Sequence, residues 1–560
     1  MPITTRCFKF PVEYQKKNNF ISTNIANDLE LYNTTDPTNK TINQQIFQPC
    51  TDVGLEINNY MLDTYSYDKS FLKDTQKMLK KYKKKSLTDL DEIFKIIQNN
   101  KSLSNFNDKY FYLEWSCLEM LNKNEMFLLL MSIYNLSSPI LSLIFPLIIL
   151  ILPFFILQIQ NRPIEINEYI RILKSVLTNH AIGKVCFQFG SASNGEKIYI
   201  LLSLGFYIFS IYQNIRYCHK FYINLQTIHK ELFVLKNYIA NTLLNIDHVI
   251  NITQKLKTYK PFVKDLTKTK STLEYFHKQI AFTPFSISVS KILEIGTLLK
   301  VYYEFNKSIE LEHALYYSMG FNGYLDNLNG LKEFINNDKI NFTSFGKNTD
   351  FKGLYYPALI QTEYISNDCS FDKNIILTGP NASGKTTILK SCLINILLSQ
   401  TFGCGCYTKS TNKLYKHIHC YLNIPDTLGR DSLFQAEARR CKEIIDAINK
   451  HPEDTHFCAF DELYSGTNPK EAISSATAFM EYIIKNDTVD CLLTTHFIDV
   501  CNQLNEHKKV QNLMMDVDVV NKNIKFKYEV KKGISEICGG IDILKKLNYP
   551  QEILDSSQQN

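Results

Sequence analysis

The chain has 560 residues and a formal net charge of +6, with a sequence pI near 8.4. This length is enough for about three domains and for more than one buried core. The mild positive charge suits nucleic acid or an anionic membrane surface, but an ordinary soluble enzyme has it as well. Fifteen cysteines in a chain of this length exclude a disulfide-built scaffold, and residues 1–20 lack the apolar core of a secretory signal. The cysteines are therefore predicted to be free thiols.

Two apolar segments interrupt the otherwise polar chain. Residues 126–160 contain no charged side chain, and this run is longer than the ~20 residues that one membrane-spanning helix needs. Pro139, Pro146 and Pro153 lie within it and predict kinks or a re-entrant turn. Residues 198–215 form a second uncharged segment, in the spanning range of about 17–25 residues. Both are predicted to be transmembrane helices, and the alternative is two buried core helices.

A long helix is predicted after the second apolar segment, because apolar residues recur there in steps of three and four. The seam of this pattern consists of Leu225, Ile228, Leu232, Leu235, Ile239, Thr242, Ile246 and Val249. It fits a helix in a helical bundle as well as an intermolecular coiled coil. Helical, polar sequence continues to about Lys339, and residues 343–349 are predicted to be a linker.

A phosphate-binding loop is predicted after residues 374–377, a short apolar run that favours a buried strand. The pattern GxxxxGK[ST] is matched in full by Gly379, Pro380, Asn381, Ala382, Ser383, Gly384, Lys385 and Thr386. The glycines let backbone amides curl around phosphate, and a helix that begins near Lys385 points its positive end at the same charge. Lys385 is expected to neutralise the β- and γ-phosphates, and the Thr386 hydroxyl to coordinate Mg²⁺. Thr387 completes the predicted nucleotide-binding set.

Two further apolar strands end in residues that metal-assisted hydrolysis needs. Residues 457–460 lead into Asp461 and Glu462; Asp461 is expected to hold the Mg²⁺ shell and Glu462 to polarise the attacking water. Residues 491–495 lead into His496, which can reach the γ-phosphate and report its hydrolysis. The sequence thus predicts a Mg²⁺-dependent ATPase. Its predicted catalytic residues are Glu462, Lys385 and His496.

Segments around these motifs resemble the MutS family. Gly379-Pro380-Asn381 and Gly384-Lys385-Thr386 are similar to the phosphate loop of that family. Residues 461–467 resemble its Walker B strand and turn, with Ser465 where an arginine is usual, and residues 432–437 look like its signature segment. The resemblance implies an α/β P-loop NTPase, of the ABC-class MutS type, as the C-terminal domain.

The same resemblance implies roles around the nucleotide. In a MutS dimer the signature segment reaches the partner's nucleotide, so Ser432 is expected to act in trans. Tyr364 matches the aromatic residue that stacks on adenine, and Tyr528 is the candidate for the opposite face of the base. Residues 355–357, Tyr-Tyr-Pro, stand where Arg-His-Pro is usual. The implied cofactors are ATP and Mg²⁺, and the implied partner is a second copy of the chain.

Fainter resemblance extends to the rest of the chain. Residues 51–54 look like the start of the all-α core-and-lever domain of MutS, residues 324–328 like its return, and residues 533–535 with 539–550 like its closing helical segment. The Phe-x-Glu mismatch wedge has no match, so the mismatch-recognition and connector domains are expected to be absent. The predicted division is a helical core part at 1–125, a transmembrane segment at 126–160, an intervening loop at 161–197, a second transmembrane segment at 198–215, lever and core helices at 216–342, and the ATPase domain at 352–555.

The function expected from these features is that of a membrane-anchored MutS-like ATPase, whose dimer moves its long helices on ATP binding and hydrolysis. Two crossings would place the ATPase domain and the lysine-rich residues 80–85 on the cytosolic side, and a hairpin that dips into one leaflet is the alternative. A mismatch-repair factor, sensing mismatched or structured DNA through basic residues, is a second reading. An ABC-type ATPase of a membrane complex is a third, although the chain has no Leu-Ser-Gly-Gly run.

One group of cysteines and histidines contains potential metal ligands. It consists of Cys404, Cys406, His417, His419 and Cys420. Its Cys-x-Cys and His-x-His-Cys spacings differ from those of zinc knuckles. Packed thiols and surface histidines are therefore favoured over a zinc site.

Overall fold

The computed structural model describes residues 7–87, 90–159, 165–178, 180–281, 293–422, 432–520, 523–537 and 549–551. The helices are α1 Thr23–Asp28, α2 Ile42–Phe47, α3 Asp52–Asn58, α4 Lys69–Lys81, α5 Leu90–Ser102, α6 Phe106–Tyr110, α7 Glu125–Ile159, α8 Ile166–Leu177, α9 Ala181–Phe187, α10 Asn194–Thr253, α11 Lys260–Ala281, α12 Ile295–Lys307, α13 Ile309–Asn336, α14 Lys385–Phe402, α15 Leu433–Lys450, α16 Pro469–Ile484 and α17 Ile498–Leu504. The strands are β1 Asn18–Phe20, β2 Thr64–Ser66, β3 Asn341–Phe342, β4 Ser344–Phe345, β5 Asp350–Leu354, β6 Asn367–Ser370, β7 Asn374–Thr378, β8 Cys404–Gly405, β9 Lys409–Asn412, β10 His417–Tyr421, β11 His456–Asp461, β12 Val489–Thr495, β13 Val510–Val520 and β14 Asn523–Lys532.

The chain forms two compact units. The first unit comprises Met1–Asp91, Asn241–Ser271 and Leu315–Asn560. The second comprises Glu92–Ala240 and Thr272–Ala314.

A six-stranded sheet organises the C-terminal part of the first unit. Its strand order is β10-β11-β12-β7-β13-β14, and every neighbouring pair is parallel except β13 with β14. The register pairs Asp461 with Thr494 and Thr495 with Thr378. Because parallel strands end at one edge of a sheet, the residues that follow β7, β11 and β12 are brought together there.

Helix α14 follows β7 and the phosphate-loop segment, as the sequence predicts. The helix begins at Lys385, and its apolar residues Ile388, Leu389, Leu393 and Ile394 are buried. The helix is also buried through Ser391, Asn395 and Gln400, whose side chains are all hydrogen-bonded. It is therefore enclosed on several sides, and the polar positions are kept inside by satisfied hydrogen bonds.

The predicted linker at 343–349 is wrong, because residues 344–345 form strand β4 and the segment lies between strands β3 and β5 of small sheets. Strand β3 pairs with β8, and β4 joins a four-stranded sheet of order β4-β9-β5-β6. Thr343 and Thr349 are buried, and the Thr349 hydroxyl lies 2.8 Å from that of Tyr415. Small polar residues indicate a linker only when their side chains lack such partners, which sequence alone does not show.

The two segments that resemble the start and return of the MutS core meet in the first unit. The Asp326 carboxylate accepts hydrogen bonds from the backbone of Cys50 and Thr51 and from the Thr51 hydroxyl, each at 2.9 Å. Asn327 donates to the Gly54 carbonyl at 2.9 Å. A Cβ on Gly54 would lie 2.1 Å from Asp326 Oδ2, so this contact requires a residue without a side chain. The start of α3 is thereby fixed against α13.

Two described helices are long and apolar enough to cross a membrane, by length and composition alone. They are Glu125–Ile144 within α7 and the 60-residue α10; 11% and 6% of their most apolar stretches are buried. Helix α7 passes through all three predicted kink sites without a break in its helical assignment. The re-entrant turn predicted there is therefore not observed. A proline removes one hydrogen bond and need not end a helix whose other residues favour it.

The segment between the apolar stretches also differs from the prediction. Residues 161–197 were expected to be a loop, but they contain α8, α9 and the start of α10. Helix α10 joins the second apolar stretch to the predicted heptad seam without interruption. All eight seam residues are buried within the chain, which favours the bundle over an intermolecular coiled coil.

Candidate nucleotide-binding site

The phosphate-loop lysine is held inside its own loop. The Lys385 ammonium donates to the carbonyls of Gly379 at 2.8 Å and Pro380 at 3.3 Å, and it lies 3.9 Å from Glu462 Oε1. Its side chain is 5% exposed. Burial lowers the pKa of Lys385, while Glu462 and Asp461 act in the opposite direction. A buried cation that has only carbonyls and nearby carboxylates as partners is well placed to receive phosphate oxygens.

Two side-chain oxygens meet at the predicted magnesium position. The Thr386 hydroxyl donates to Asp461 Oδ2 at 2.9 Å, and the Thr494 hydroxyl donates to the other oxygen of the same carboxylate. Oxygen ligands of this kind, one hydroxyl and one carboxylate, suit Mg²⁺, which takes one or two protein ligands and completes its shell with water and substrate phosphates. The residues present therefore fit the ion that the sequence predicts.

Glu462 is positioned by both its backbone and its side chain. Its N–H donates to the Thr494 carbonyl at 3.0 Å, and its φ of 51° lies in the left-handed region that non-glycine residues avoid. Its Oε1 atom is 3.6 Å from His496 Nδ1. Hydrogen bonding from His496 is the main cause that lowers the pKa of Glu462, although burial opposes it. The carboxylate is therefore ionised at neutral pH, as a proton acceptor must be.

A pocket of about 850 Å³ opens beside these residues. Its size is within the range of about 300–1,000 Å³ that is typical of ligand sites. The predicted residues that line it are Asn381, Ala382, Ser383, Gly384, Lys385, Thr386, Thr387, Asp461, Glu462, Tyr364 and Tyr528. Gly379 and Pro380 contribute through the carbonyls that hold Lys385, and His496 adjoins through Glu462.

Tyr364 and Tyr528, which are expected on the two faces of the base, each have a further contact in the protein. Tyr364 stacks on Tyr355, with ring centroids 3.9 Å apart and ring planes 12° apart. One face of Tyr364 is therefore covered, and a base would stack on the other. The backbone at Tyr528 is fixed by the side chain of Asn367. Its Nδ2 group donates to the Tyr528 carbonyl at 2.9 Å, and its Oδ1 atom accepts from the Val530 amide at 2.7 Å.

Backbone strain is concentrated at the pocket. The described chain has eight non-glycine residues with positive φ, and three of them, Ala382, Glu462 and Tyr528, line the pocket. Such conformations cost of order 1–3 kcal/mol each and persist where the surroundings impose them. Their clustering is a structural reason, independent of the motifs, to identify this pocket as the functional site.

Comparison with known proteins agrees with the geometry. Residues 375–560 match the family model described as MutS domain V. The DNA mismatch repair protein MutS of Fusobacterium nucleatum is 30% identical over 207 residues, which are 35% of this chain and 22% of that protein. The protein of the same name in Persephonella marina is 28% identical over 215 residues, which are 37% of this chain and 24% of that protein.

The C-terminal part of the chain, from residue 375 onward, is therefore similar to domain V of the MutS family. The match spans less than a quarter of the length of those relatives. The family model covers the strands and loops of the pocket from residue 375 onward, and Tyr364 precedes the residues that it matches.

The MutS-like signature segment lies outside the pocket of its own chain. Ser432 caps α15, where its hydroxyl accepts from the Gln435 amide at 3.3 Å, and it is not among the residues that line the pocket. The fifth residue of that helix is Glu437, the last residue of the signature segment. It is 2% exposed and accepts from the Ser465 hydroxyl at 3.1 Å and the Gly466 amide at 3.2 Å.

Ser465 therefore has a defined role where MutS usually has an arginine. Its hydroxyl and the neighbouring amide satisfy a buried carboxylate, which ties the turn after Glu462 to the start of α15. Residues of the pocket that the sequence did not indicate include Tyr355 and Met515. Only Tyr355 carried a signal, as an aromatic residue at a position that departs from the MutS pattern.

The cysteines and histidines between Cys404 and Cys420 do not form one metal site in the described part of the chain. Cys404, Cys406 and Cys420 are buried. The fourteen described cysteines are free, as predicted. His417 and His419 instead lie among other histidines at one edge of the sheet.

Proposed function

We propose that the chain is a MutS-like ATPase in which binding and hydrolysis of MgATP drive a conformational change of a dimer, and that it is anchored in a membrane. The observation that carries the ATPase proposal is the hydrogen bond between Thr386 and Asp461. This bond joins the end of the phosphate loop to the carboxylate at the end of strand β11. The metal and the γ-phosphate must meet at this position. The similarity of residues 375–560 to MutS domain V supports the ATPase proposal.

The reaction assigned to this pocket follows from the positions of its own side chains. Lys385 would turn from the loop carbonyls to the β- and γ-phosphate oxygens, while Thr386 and Asp461 would hold Mg²⁺. That ion, when bound, would supply positive charge against the transferring phosphoryl group. Glu462 would orient the attacking water and accept its proton, and His496 would hold Glu462 in place through the N–H that faces it.

The metal assignment predicts that Thr386→Val raises the Mg²⁺ concentration needed for half-maximal ATP hydrolysis by about tenfold. Valine keeps the shape of threonine but removes the hydroxyl ligand, at a cost of roughly 1–2 kcal/mol in binding. The measurement is steady-state hydrolysis at fixed ATP over a Mg²⁺ series. Thr411→Val, at a similarly half-exposed threonine of β9, is the control and should leave the Mg²⁺ dependence unchanged. An unchanged dependence in Thr386→Val would contradict the assignment.

The dimer is proposed because the nucleotide site lacks its signature residue within one chain. Ser432 is exposed at the start of α15 and does not line the pocket of its own chain. A second copy could bring its own Ser432 to the phosphate, as the resemblance to MutS implies. Each chain would then complete the site of the other, and ATP would favour the closed dimer.

Membrane anchoring is proposed from the surface of the second unit. The Tyr207 hydroxyl donates to the Ser142 carbonyl at 3.0 Å, so the apolar parts of α7 and α10 lie side by side. The exposed apolar residues there include Ile140, Leu141, Leu143, Ile144, Ile148, Leu201, Leu202, Phe206, Ile208 and Phe209. An apolar surface of this extent suits lipid. The ATPase domain is proposed to face the cytosol, where ATP is available.

Flotation with lipid vesicles tests the anchor. The chain reconstituted from detergent into phosphatidylcholine vesicles should float with them. Leu143→Arg combined with Phe209→Arg should abolish flotation, because each arginine near a helix centre costs about 2.5–3.5 kcal/mol in membrane insertion. Leu244→Arg, at another exposed leucine of α10, is the matched control and should still float. Failure of the unmodified chain to float would refute the anchor and leave the ATPase proposal intact.

DNA binding is the second candidate function, because the relatives matched are named DNA mismatch repair proteins. Lys81, Lys83 and Lys84 are exposed and could contact a phosphate backbone, although Lys84 also pairs with Glu333 at 2.6 Å. Binding of this kind weakens steeply with salt. ATP hydrolysis and retention on DNA, measured at low salt with duplex or mismatched DNA, test this candidate. A DNA-dependent sensor should hydrolyse ATP faster when DNA is present, or it should be retained on the DNA.

A further inference from the structure

A group of histidines lies at an edge of the six-stranded sheet, on the edge strand β10 and near it. His417 is the first residue of β10. His451 is the C-terminal cap of α15, and Asp454 lies in the connection from α15 to β11. This group is separate from the nucleotide pocket, none of whose lining residues belongs to it.

Three potential ligand atoms of this group converge. His417 Nε2 is 3.1 Å from Asp454 Oδ2, and His451 Nδ1 is 3.7 Å from the same oxygen. One ligand atom from each of the three residues lies within 4.8 Å of the others. Ligand atoms of a tetrahedral zinc site, with bonds near 2.0–2.1 Å, are about 3.3 Å apart. The observed spacings are on both sides of that value, so small side-chain rotations suffice.

Two further histidines, the buried His456 and the half-buried His419, lie next to these residues. His456 Nε2 is 3.0 Å from the His451 carbonyl and must donate to it, because a carbonyl oxygen only accepts. His456 Nδ1 is then the acceptor for His419 Nε2, at 3.0 Å. The His456 ring also stacks on that of His417, with centroids 4.8 Å apart. His456 thus fixes the backbone of His451 and the ring of His417. The outer partners of metal ligands hold those ligands in place in a similar way.

We propose that His417, His451 and Asp454 bind a late first-row divalent cation such as Zn²⁺, with a fourth position open to water. Two imidazoles and one carboxylate are a ligand set that such ions favour. The side chains are 22%, 42% and 24% exposed, so an ion can reach them. The cation takes the place of the proton that His417 Nε2 shares with Asp454, and the neutral ring keeps a proton on its other nitrogen.

The bound ion would join the end of α15 to the edge strand. Helix α15 begins at the signature segment, so the ion would fix the far end of the helix that carries Ser432. Lys416 is the competing cation, because its ammonium lies 2.8 Å from Asp454 Oδ2. Its side chain is 35% exposed and can turn into solvent when the metal binds.

Zinc binding to the full chain, stripped with chelator and then kept in excess Mg²⁺ without nucleotide, tests this proposal. Zn²⁺ should raise the melting temperature, since a ligand that binds only the folded state stabilises it. His451→Gln should weaken Zn²⁺ binding by more than the roughly 10–100-fold that loss of an outer partner costs. Lys416→Gln should tighten it by roughly fivefold, because a competing positive charge is removed. A purely structural cluster would show no such gain.

The control is His313→Gln, at an exposed histidine of α13, which should bind Zn²⁺ as the parent does. Exposed Cys50, Cys117 and Cys186 can also bind Zn²⁺, but that binding would be equal in all the variants. The proposal is overturned if the parent retains no Zn²⁺, or if His451→Gln and Lys416→Gln both bind it with the parent's affinity. Melting of the stripped variants shows that each is folded before the metal is added.

Discussion

Glu462→Gln is expected to lower the turnover of ATP by about 10²–10⁴-fold, which is the contribution of a positioned general base. Glutamine keeps the size of the side chain and its place at the end of β11, but it cannot accept the proton of the attacking water. Lys385, Thr386 and Asp461 are unchanged, so ATP and Mg²⁺ should bind as before. The variant should therefore accumulate the ATP-bound state.

Two measurements check this expectation. Phosphate release in single-turnover conditions gives the chemical step, and size-exclusion chromatography with and without MgATP shows whether a dimer accumulates. Glu506→Gln, at an exposed glutamate, is the control and should hydrolyse ATP as the parent does. Turnover of Glu462→Gln at the parental rate would remove Glu462 from its proposed role. Loss of hydrolysis without any ATP-dependent dimer would leave the base in place and refute the dimer.

The pH dependence of the parent should agree with this assignment. Hydrogen bonding from His496 lowers the pKa of Glu462 below its ordinary 4.5, despite the opposing effect of burial. The base is therefore ionised at neutral pH, and activity should be lost only as the pH falls below the ordinary pKa of a glutamate. Any decline of hydrolysis between pH 6 and pH 8 must then come from another group.

The parts of the site that the sequence predicts well are those encoded by neighbouring residues. The predicted strand at 374–377 corresponds to β7 at Asn374–Thr378, and the helix expected near Lys385 begins at that residue. Strand, loop and helix are adjacent in the chain here, and their order alone places the backbone amides and the lysine. The meeting of Asp461 with Thr386 was also predictable, because parallel strands end at one edge.

The parts that were not predicted depend on contacts between distant residues. The stacking of Tyr355 on Tyr364 covers one face of the ring that was assigned to adenine, and no periodicity encodes it. Glu437 could be recognised as part of a motif, but only the fold shows that it binds the turn at Ser465. The edge strand β10 brings His417 to Asp454. In the sequence, by contrast, His417 lies near cysteines and was grouped with them as a potential metal ligand. Residues 538–548, which include most of the predicted closing segment, lie outside the described residues.

Contact between the turn and α15 offers a route by which the proposed hydrolysis would be transmitted. Glu437 accepts hydrogen bonds from Ser465 and Gly466, and a Cβ on Gly466 would lie 2.6 Å from the Leu433 side chain. The turn that follows Glu462 is therefore packed closely on the first residues of α15. A change in the position of Glu462 when phosphate leaves would shift the helix that presents Ser432. Packed contacts of this kind are not continuously deformable, so the shift would be a step between two states.

Lys385→Ala is expected to weaken ATP binding by on the order of 10²-fold, since hydrogen bonds to charged groups contribute about 1.5–3 kcal/mol each and this ammonium can make more than one. Hydrolysis should fall below detection, because the same group would stabilise the charge of the transferring phosphoryl oxygens. The lysine is 5% exposed and its carbonyl partners belong to the loop itself. Alanine therefore removes the one positively charged side chain among residues 379–386 of the phosphate loop, all of which the structure describes.

Binding of a fluorescent ATP analogue, followed by phosphate release, measures both effects in Lys385→Ala. Lys409→Ala, at an exposed lysine of β9, is the control and should match the parent in both assays. Thermal unfolding without nucleotide shows whether the loop variant is folded, since the carbonyls of Gly379 and Pro380 lose their donor and could open the loop. If a folded Lys385→Ala bound and hydrolysed ATP like the parent, the triphosphate would have to lie elsewhere. The pairing of Thr386 with Asp461 would then be a structural contact between the start of α14 and the end of β11, and not a metal site.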